Sequence, residues 1–378
     1  MKPPFFSVII PTKNRPELLR KAISSVLLQD FDDYELVVSD NFNDQKTFDV
    51  VNEFKNDEHL NYVRTDREMN MPDHWEFAAR KAKGSYVMIL TDRSFLRQGS
   101  LKDIYNSISG KEVNACFWKH GYYDEKDKIL FGDREEEGVK FLDSKQLIKG
   151  FSQTLSEGFL PKPCSGCYKR DFAQRIINDV GNLYLPVNPD YTPALLFLAY
   201  SDSVAYIPRT LLFFQGATVS NLPSTRFNPK LYIQSLKIKD PYKFVPIKAS
   251  IGSSLIFNDF LMVQDLVGRN LKGVKIDWAF YFARCYIELK GNMTRPEADK
   301  KAQVEFFKEW KRALSGFNPK LRLRSWEKIC FSYKNIFKSY LELIPLAGFL
   351  IRAKRFFLGK PANKYPDALS AGGFNLDK

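Results

Sequence analysis

The chain has 378 residues and a mass of 43.8 kDa, with 44% hydrophobic, 15% aromatic and 27% charged residues and a formal net charge of +13. That composition supplies ample apolar material for a core and excludes a disordered, collagen-like or low-complexity chain. The length fits two or three domains, or one large α/β unit with an appendage. Five cysteines, an odd count, exclude a disulfide framework and suit a reducing compartment. The N-terminal apolar run is cut short by Pro11, too soon for a signal peptide, so a cytoplasmic protein is expected.

Strand and helix signals alternate along the first hundred residues. Ser7 to Ile10 is a continuous apolar run, as in a strand buried on both faces. Pro16 suits a first helical turn, and Leu19, Ile23, Val26 and Leu27 recur at helical spacing through Gln29. Glu35 to Val38 predicts a second strand, Lys46 to Lys55 a helix and Leu60 to Val63 a third strand. Pro72 opens a helix carrying Trp75, Ala78, Ala79 and Ala82 on its apolar face; Gly84 is its C-cap and Tyr86 to Leu90 a further strand. Strands separated by such helices argue for a parallel sheet with right-handed crossovers, whose ligands lie beyond the carboxyl ends of the strands. Three polar clusters fall there: Thr12-Lys13-Asn14-Arg15, Asp40-Asn41 and Asp92-Arg93-Ser94. A single acid in such a place is commonly a helix N-cap, whereas repetition at successive ends points to a crevice.

The middle third mixes short strands (Ala115 to Trp118, Ile129 to Phe131) with loops rich in Gly and Pro. A helix through Ala194 to Ala199 and strands at Val204 to Ile207 and Leu211 to Gln215 follow. From about Thr225 onward helical patterns dominate, punctuated by Pro241, Pro246, Pro296, Pro319 and Pro345.

The positive charge is uneven. Lys320 to Lys364 holds 11 basic and 2 acidic residues, a net of +9, interleaved with Trp326, Phe331, Phe337, Phe349 and Phe356. Its longest uncharged run, Leu343 to Ile351, is 9 residues, against about 20 needed to span a bilayer. Two readings fit: a basic amphipathic helix docked on an anionic membrane surface, or a packed helical pair with a solvated basic face. Nucleic-acid binding lacks any accompanying motif and is set aside.

Taken together, Ser7-Val8-Ile9-Ile10-Pro11-Thr12-Lys13-Asn14-Arg15, Glu35-Leu36-Val37-Val38-Ser39-Asp40-Asn41, Ala82-Lys83-Gly84-Ser85-Tyr86 through Asp92, and Asn188-Pro189-Asp190-Tyr191 with Tyr206-Ile207-Pro208 resemble the family 2 glycosyltransferases of the GT-A fold. The similarity covers about residues 5 to 220, and nothing after about 225 matches it. It implies a Rossmann-like mixed sheet flanked by helices over residues 1–224, while the helical patterns and charge beyond it mark 225–378 as a mainly helical, basic C-terminal region. It also implies an inverting, hexosyltransferase-type enzyme. The donor would be a nucleotide sugar, a uridine diphosphate sugar on the strength of Asp40, and the acceptor a hydroxyl of a cell-surface or lipid-linked glycan. Such an enzyme would work in the cytoplasm, peripheral to the inner face of the membrane.

The same resemblance assigns roles. Backbone groups of Pro11 and Thr12 face the base, Asp40 accepts from a base N–H, and Arg15 reaches base or phosphate. Asp92 and Arg93 lie at the diphosphate, with Asp92 the ligand of a divalent cation, Mn²⁺ or Mg²⁺. Asp190 is the catalytic base, taking the acceptor hydroxyl's proton as the oxygen attacks an oxocarbenium-like centre. Without the resemblance, Asp190 reads as a helix N-cap.

Two departures qualify that pattern. Arg93 and Ser94 stand where the family supplies further acids, so the metal is held weakly or is replaced by a guanidinium forking onto phosphate. In Gln215-Gly216-Ala217-Thr218-Val219-Ser220 the Arg or His of many members is missing. A catalytically weak or inactive GT-A protein serving as a membrane-associated partner therefore stays open. Cys164-Ser165-Gly166-Cys167 has no second ligand pair for zinc and reads as an acceptor-side loop. His74 lines the sugar pocket or stands partly exposed at a helix start.

Overall fold

The computed structural model describes residues 2–42, 45–124, 129–131, 135–154, 159–215, 233–235, 237–295 and 298–341. Strand β1 (Phe6–Thr12) is buried along its whole length. It leads into α1 (Pro16–Leu27), which lays Leu19, Ala22, Ile23 and Val26 against the sheet, with Pro16 in the first turn. Then follow β2 (Tyr34–Asp40), α2 (Gln45–Asn52), β3 (Leu60–Arg64), α3 (Met71–Ala79), β4 (Tyr86–Ile89) and the short β5 (Ser94–Leu96). The middle of the chain forms α4 (Ser100–Ile108), β6 (Ala115–Asp124), β7 (Ile129–Phe131), β8 (Lys140–Asp143), α5 (Ser144–Thr154), β9 (Gly166–Lys169), α6 (Arg170–Val180), α7 (Tyr191–Tyr200) and β10 (Ser203–Gln215). Beyond it lie α8 (Gly252–Val267), α9 (Trp278–Met293), α10 (Lys300–Ser315) and α11 (Pro319–Leu341).

The sheet runs in the order β3-β2-β1-β4-β9-β6-β10-β5, with β7 beside β6 and β8 beside β10. The pairs β3-β2, β2-β1 and β1-β4 are parallel, as their crossover helices require. Strand β9 is antiparallel to both β4 and β6 and turns the sheet into a mixed one. The chain moves outward from β1 to β3 and then returns to β4 on the other side of β1. At such a reversal α/β sheets bind their ligands, here the carboxyl end of β1.

The approach to β4 has a tight packing requirement. Ser7 Oγ donates to Glu35 (2.5 Å) and accepts from the Gly84 N–H (2.8 Å), while the Lys83 N–H reaches the same carboxylate (2.6 Å). A Cβ on Gly84 would lie 2.6 Å from the Phe6 carbonyl carbon and from the Ser7 nitrogen, so only glycine lets the chain enter β4 this close to β1.

Several expectations are corrected. The helix predicted to Lys55 ends at Asn52, and the two strands expected across residues 204–215 are one strand, β10, with a register irregularity around Pro208. Ser94 begins β5 instead of closing a loop, and the stretch read as short strands and loops also holds α4, α5 and α6. The serines, lysines and arginines on those helices mask their apolar stripes in the sequence; α6 nonetheless buries Phe172, Ala173 and Ile176.

The later helices are joined by polar ties and share the sheet's core. Glu288 of α9 accepts from the N–H groups of Gly252 and Ser253 at the start of α8 (2.8 and 2.9 Å). The indole of Trp310 in α10 is buried and donates to the Phe282 carbonyl in α9 (2.9 Å). One continuous apolar cluster includes Ile9, Phe117, Phe197, Phe257, Trp310 and Ile329. The boundary expected near residue 225 lies outside the described residues.

The basic segment divides. Between Pro319 and Ser332, Ser325 and Ile329 are buried, and Arg324 and Lys328 pair with Asp277 at the start of α9 (3.6 and 3.2 Å). This part packs, as the second reading of the segment holds. Leu323, Trp326 and Phe331 remain 62%, 43% and 66% exposed. Residues 342–364 of the segment lie outside the described residues. Among the described residues no helix is long and apolar enough to cross a membrane.

Candidate active site

The three polar clusters converge at the carboxyl ends of β1, β2 and β4. Thr12 and Asp40 are register partners, and the Asn41 N–H bonds to the Thr12 carbonyl (3.0 Å). Beyond Thr12 the chain turns at Asn14, whose φ of 57° is left-handed, a conformation Asn tolerates better than most residues. That turn brings Arg15 back over the strand ends. Asn41 holds the opposite wall, its amide bonded to both the N–H and the carbonyl of Met69 (2.8 Å each).

Asp92 is the hub. Its carboxylate is buried, accepting from Thr12 Oγ1 (3.1 Å) and from Arg15 Nη1 (3.2 Å). Burial pushes its pKa up, opposed by Arg15, by the Thr12 hydroxyl and by Arg93. Arg93 lies with its guanidinium 4.7 Å from the Phe214 ring centroid and donates to the Gln215 carbonyl (3.4 Å). Burial lowers its pKa, though it remains a cation. The Gln215 side chain is fully buried, and its amide oxygen and nitrogen have no hydrogen-bond partner among the described residues. The residues after it, 216–220, lie outside the described ones.

Asp40 is deeper than expected for a residue that reads a base. It is fully buried, accepting from the Tyr62 hydroxyl (2.8 Å), with Arg64 Nε at 3.8 Å. A ligand N–H reaches this carboxylate only after the groups covering it move. His74 is also corrected: it is buried, neither partly exposed nor in an open pocket, because α3 turns Pro72, His74 and Trp75 inward. Its Nε2 lies 3.0 Å from Ser39 Oγ, and burial drops its pKa to about 4, so the ring is neutral.

Asp190 occupies the N-cap position of α7 but makes no side-chain cap bond. Its carboxylate is 31% exposed and lies 3.9 Å from Lys162 Nζ. The same ammonium sits 3.6 Å from the Tyr191 ring centroid, a cation–π contact that orients it. Cys164 links the two walls electrostatically: Asp190 raises its pKa, while Lys162 and Arg93 lower it, and burial dominates, taking it to about 12. A thiol held that high is neutral at pH 7 and a poor nucleophile. The C-x-x-C spacing also separates in space, since Cys167 lies on β9 opposite Cys116 of β6. Gly166 permits the turn, because a Cβ there would fall 2.5 Å from the Cys116 carbonyl oxygen.

The arrangement thus brings Thr12, Arg15, Asp92 and Arg93 together, places Asp190 and Arg93 both within electrostatic reach of Cys164, and sets Asp40 below the surface at the β2 end. Lys162 was missed by sequence reasoning, since a lone cation between prolines carries no signal. As a metal site the donor set fits poorly. Asp92 is a single carboxylate already engaged by Arg15 and flanked by Arg93, and no group of three or more His, Cys, Asp or Glu suited to a metal exists among the described residues.

Residues 7–174 match the model of "Glycosyl transferase family 2". Over 103 residues the chain is 36% identical to a GalNAc(5)-diNAcBac-PP-undecaprenol beta-1,3-glucosyltransferase of Campylobacter jejuni, covering 27% of this chain and 33% of that protein. Over 114 residues it is 33% identical to the poly(ribitol-phosphate) beta-N-acetylglucosaminyltransferase TarP of Staphylococcus aureus, covering 29% and 34%. The match spans about a third of the length of either relative. Among solved structures, S. aureus TarS 1–349 in complex with UDP-GlcNAc superposes with a TM-score of 0.51 at 16% identity, over 89% of this chain and 92% of that one. At that identity the likeness is one of fold.

Proposed function

We propose, from a chain whose residues 7–174 belong to glycosyl transferase family 2, that this protein moves a sugar from a uridine diphosphate donor to a hydroxyl of a polysaccharide or lipid-linked acceptor, with inversion. The observation that carries the reading is the convergence of Thr12, Arg15, Asp92 and Arg93 at or beyond the ends of β1 and β4, with Arg93 and the Asp190–Lys162 pair both within electrostatic reach of Cys164. The relatives' own names, one acting on an undecaprenol-linked glycan and one on poly(ribitol-phosphate), support the acceptor class.

In this reading the donor's diphosphate enters between Arg15 and Arg93. Both are guanidinium groups, able to fork onto phosphate oxygens as the sugar–phosphate bond breaks. Lys162 adds a third positive charge on the Asp190 side. Asp92 orients Arg15, and Thr12 fixes Asp92. Asp190, partly exposed and not used up in capping its helix, takes the acceptor proton as the hydroxyl oxygen attacks from the face opposite the leaving group. Because the donor set fits a protein-held divalent ion poorly, these cations carry the leaving-group role. Asp40 contacts the base once the groups above it move aside.

The test is Asp190→Asn, which keeps shape but cannot take a proton. Transfer falls by about 10²–10⁴-fold with donor affinity unchanged. Near-normal turnover removes Asp190 as the base. Absent turnover in the unaltered protein, with donor still bound, would favour the second reading, a non-catalytic binding partner.

We also propose residues 1–224 as the transferase unit and 225–378 as a helical region that holds the enzyme at an anionic membrane surface on the cytoplasmic side. The exposed Leu323, Trp326 and Phe331, continuous in sequence with the remaining basic residues up to Lys364, support that reading.

A further inference from the structure

Three groups from three elements grip the segment that leads to Asp190. Glu76 of α3 accepts from the N–H groups of Leu183 and Tyr184 (2.9 and 3.0 Å). The Thr192 hydroxyl of α7 bonds the N–H and the carbonyl of Leu185 (3.0 and 3.1 Å). Asp259 of α8 accepts from the N–H of Val187 (2.8 Å), the N–H of Asn188 (3.0 Å) and the side-chain amide of Asn188 (2.6 Å). Of the three, Asp259 alone binds the two residues just before Pro189-Asp190.

Asp259 is out of place by its surroundings. It is fully buried in α8 among Leu255, Phe257 and Phe260, where any apolar residue would suit the helix better. A carboxylate belongs there because three N–H donors point at it. The bonds continue past it: the Asn188 carbonyl accepts from the N–H groups of Tyr191 and Thr192 (3.0 and 3.2 Å), the first turn of α7. Tyr191 in turn carries Lys162 on its ring. The path therefore runs from α8 through Asn188 to the start of α7, where Asp190 sits.

We infer that Asp259 is the positioning residue for Asp190: by clamping Val187 and Asn188 it fixes where α7 begins and where the Asp190 carboxylate stands relative to Arg93 and Lys162. The inference rests on the reading of Asp190 as the base. Burial raises the Asp259 pKa to about 7, the three donors oppose that rise and the Asp190 carboxylate adds to it, which places Asp259 close to Asp190. An amide in its place has one acceptor oxygen, and its NH₂ opposes one of the three donors.

The experiment compares the full-length protein with Asp259→Asn, Asp190→Asn and the double variant. Turnover is read as release of UDP from UDP-N-acetylglucosamine with water as acceptor, alongside hydrogen exchange. In Asp259→Asn, amides of residues 183–192 exchange at least about tenfold faster while those of β1 to β4 keep their protection. Its kcat falls by about 10–10²-fold with KM for donor within about twofold, since a misplaced base costs rate and not donor binding. In the Asp190→Asn background, Asp259→Asn changes kcat by less than about twofold. Unchanged loop exchange, or effects that multiply in the double variant, overturns the inference. Normal turnover in Asp190→Asn overturns the base assignment itself, and is seen independently of the clamp. If Asp259→Asn does not fold, Asn188→Ala removes the side-chain bond alone and gives the same pattern at about threefold. If the unaltered protein releases no UDP from this donor, loop exchange alone decides.

Discussion

Gly84→Ala tests whether the strand ends that build the site depend on one close backbone approach. The added Cβ would lie 2.6 Å from the Phe6 carbonyl carbon and the Ser7 nitrogen and 2.8 Å from Ser7 Oγ. Ordinary contact begins near 3.4 Å, so β1 and the turn must part by about 0.8 Å. The two nearest obstacles, the Phe6 carbonyl carbon and the Ser7 nitrogen, are backbone, which cannot swing aside as a flexible side chain would. Parting by that much also stretches the Gly84 N–H to Ser7 Oγ bond, now 2.8 Å, beyond hydrogen-bonding range and strands a buried donor. Overpacking costs about 1–3 kcal/mol, and the stranded donor about 1–3 more. The expected loss is therefore about 2–6 kcal/mol, read as the shift in urea midpoint at constant m. Gly110→Ala is the comparison, because its φ is 71° with nothing within 4 Å of a Cβ. It should cost only the left-handed backbone penalty, about 1–2 kcal/mol. A loss below about 0.5 kcal/mol for Gly84→Ala, or equal losses at the two positions, would refute the steric argument.

Three further outcomes are expected. Arg93→Ala lowers kcat by about 10²–10³-fold, whereas chelation leaves most turnover intact; complete loss on chelation with a near-normal Arg93→Ala would return the leaving-group role to a metal. Because the folded pKa of His74 is about 4 against an ordinary 6.5, the unfolded chain binds more protons between those values. The stability from its neutral ring, about 3 kcal/mol, is present above pH 6.5 and lost as pH falls toward 4. His74→Gln should flatten the pH dependence of the urea midpoint in that window, and identical curves would contradict it. The full chain should sediment with anionic vesicles at low salt and be released at high salt, and a chain ending at Leu341, which keeps Leu323, Trp326 and Phe331 but loses the basic residues from Arg352 to Lys364, should sediment less; no sedimentation of the full chain at low salt would retire the docking.

The parallel half of the sheet was legible because β1, β2 and β4 are buried on both faces and read as apolar runs, and their polar ends stand out against them. Thr12, Arg15 and Asp92 could be grouped for that reason. The depth of Asp40 could not be read, because it depends on Tyr62, one strand away on β3. Lys162 is brought to Asp190 by a proline turn whose course no periodicity encodes. Asp259 did leave a trace: an acid within Leu255-Ile256-Phe257-Asn258-Asp259-Phe260 interrupts an apolar face. What it binds, a segment some seventy residues earlier, is a matter of tertiary placement. The basic tail was legible only in part, since Arg324 and Lys328 are the solvated charges the sequence suggests but also tie α11 to Asp277.

The apolar cluster running from Ile9 in β1 to Ile329 in α11 has a consequence for inheritance of damage. Among the described residues, sheet face and distant helices share that packing, so a lesion in the later helices can weaken the sheet. Truncating Trp310, buried far along the sequence from any substrate contact, would cost about 3–5 kcal/mol, a large share of the roughly 5–15 kcal/mol that keeps such a chain folded. The lesion would surface as scarcity of intact molecules, with each survivor working at its usual speed. A screen that scores only total product would then mark Trp310 as part of the chemistry, and only specific activity per folded molecule would acquit it.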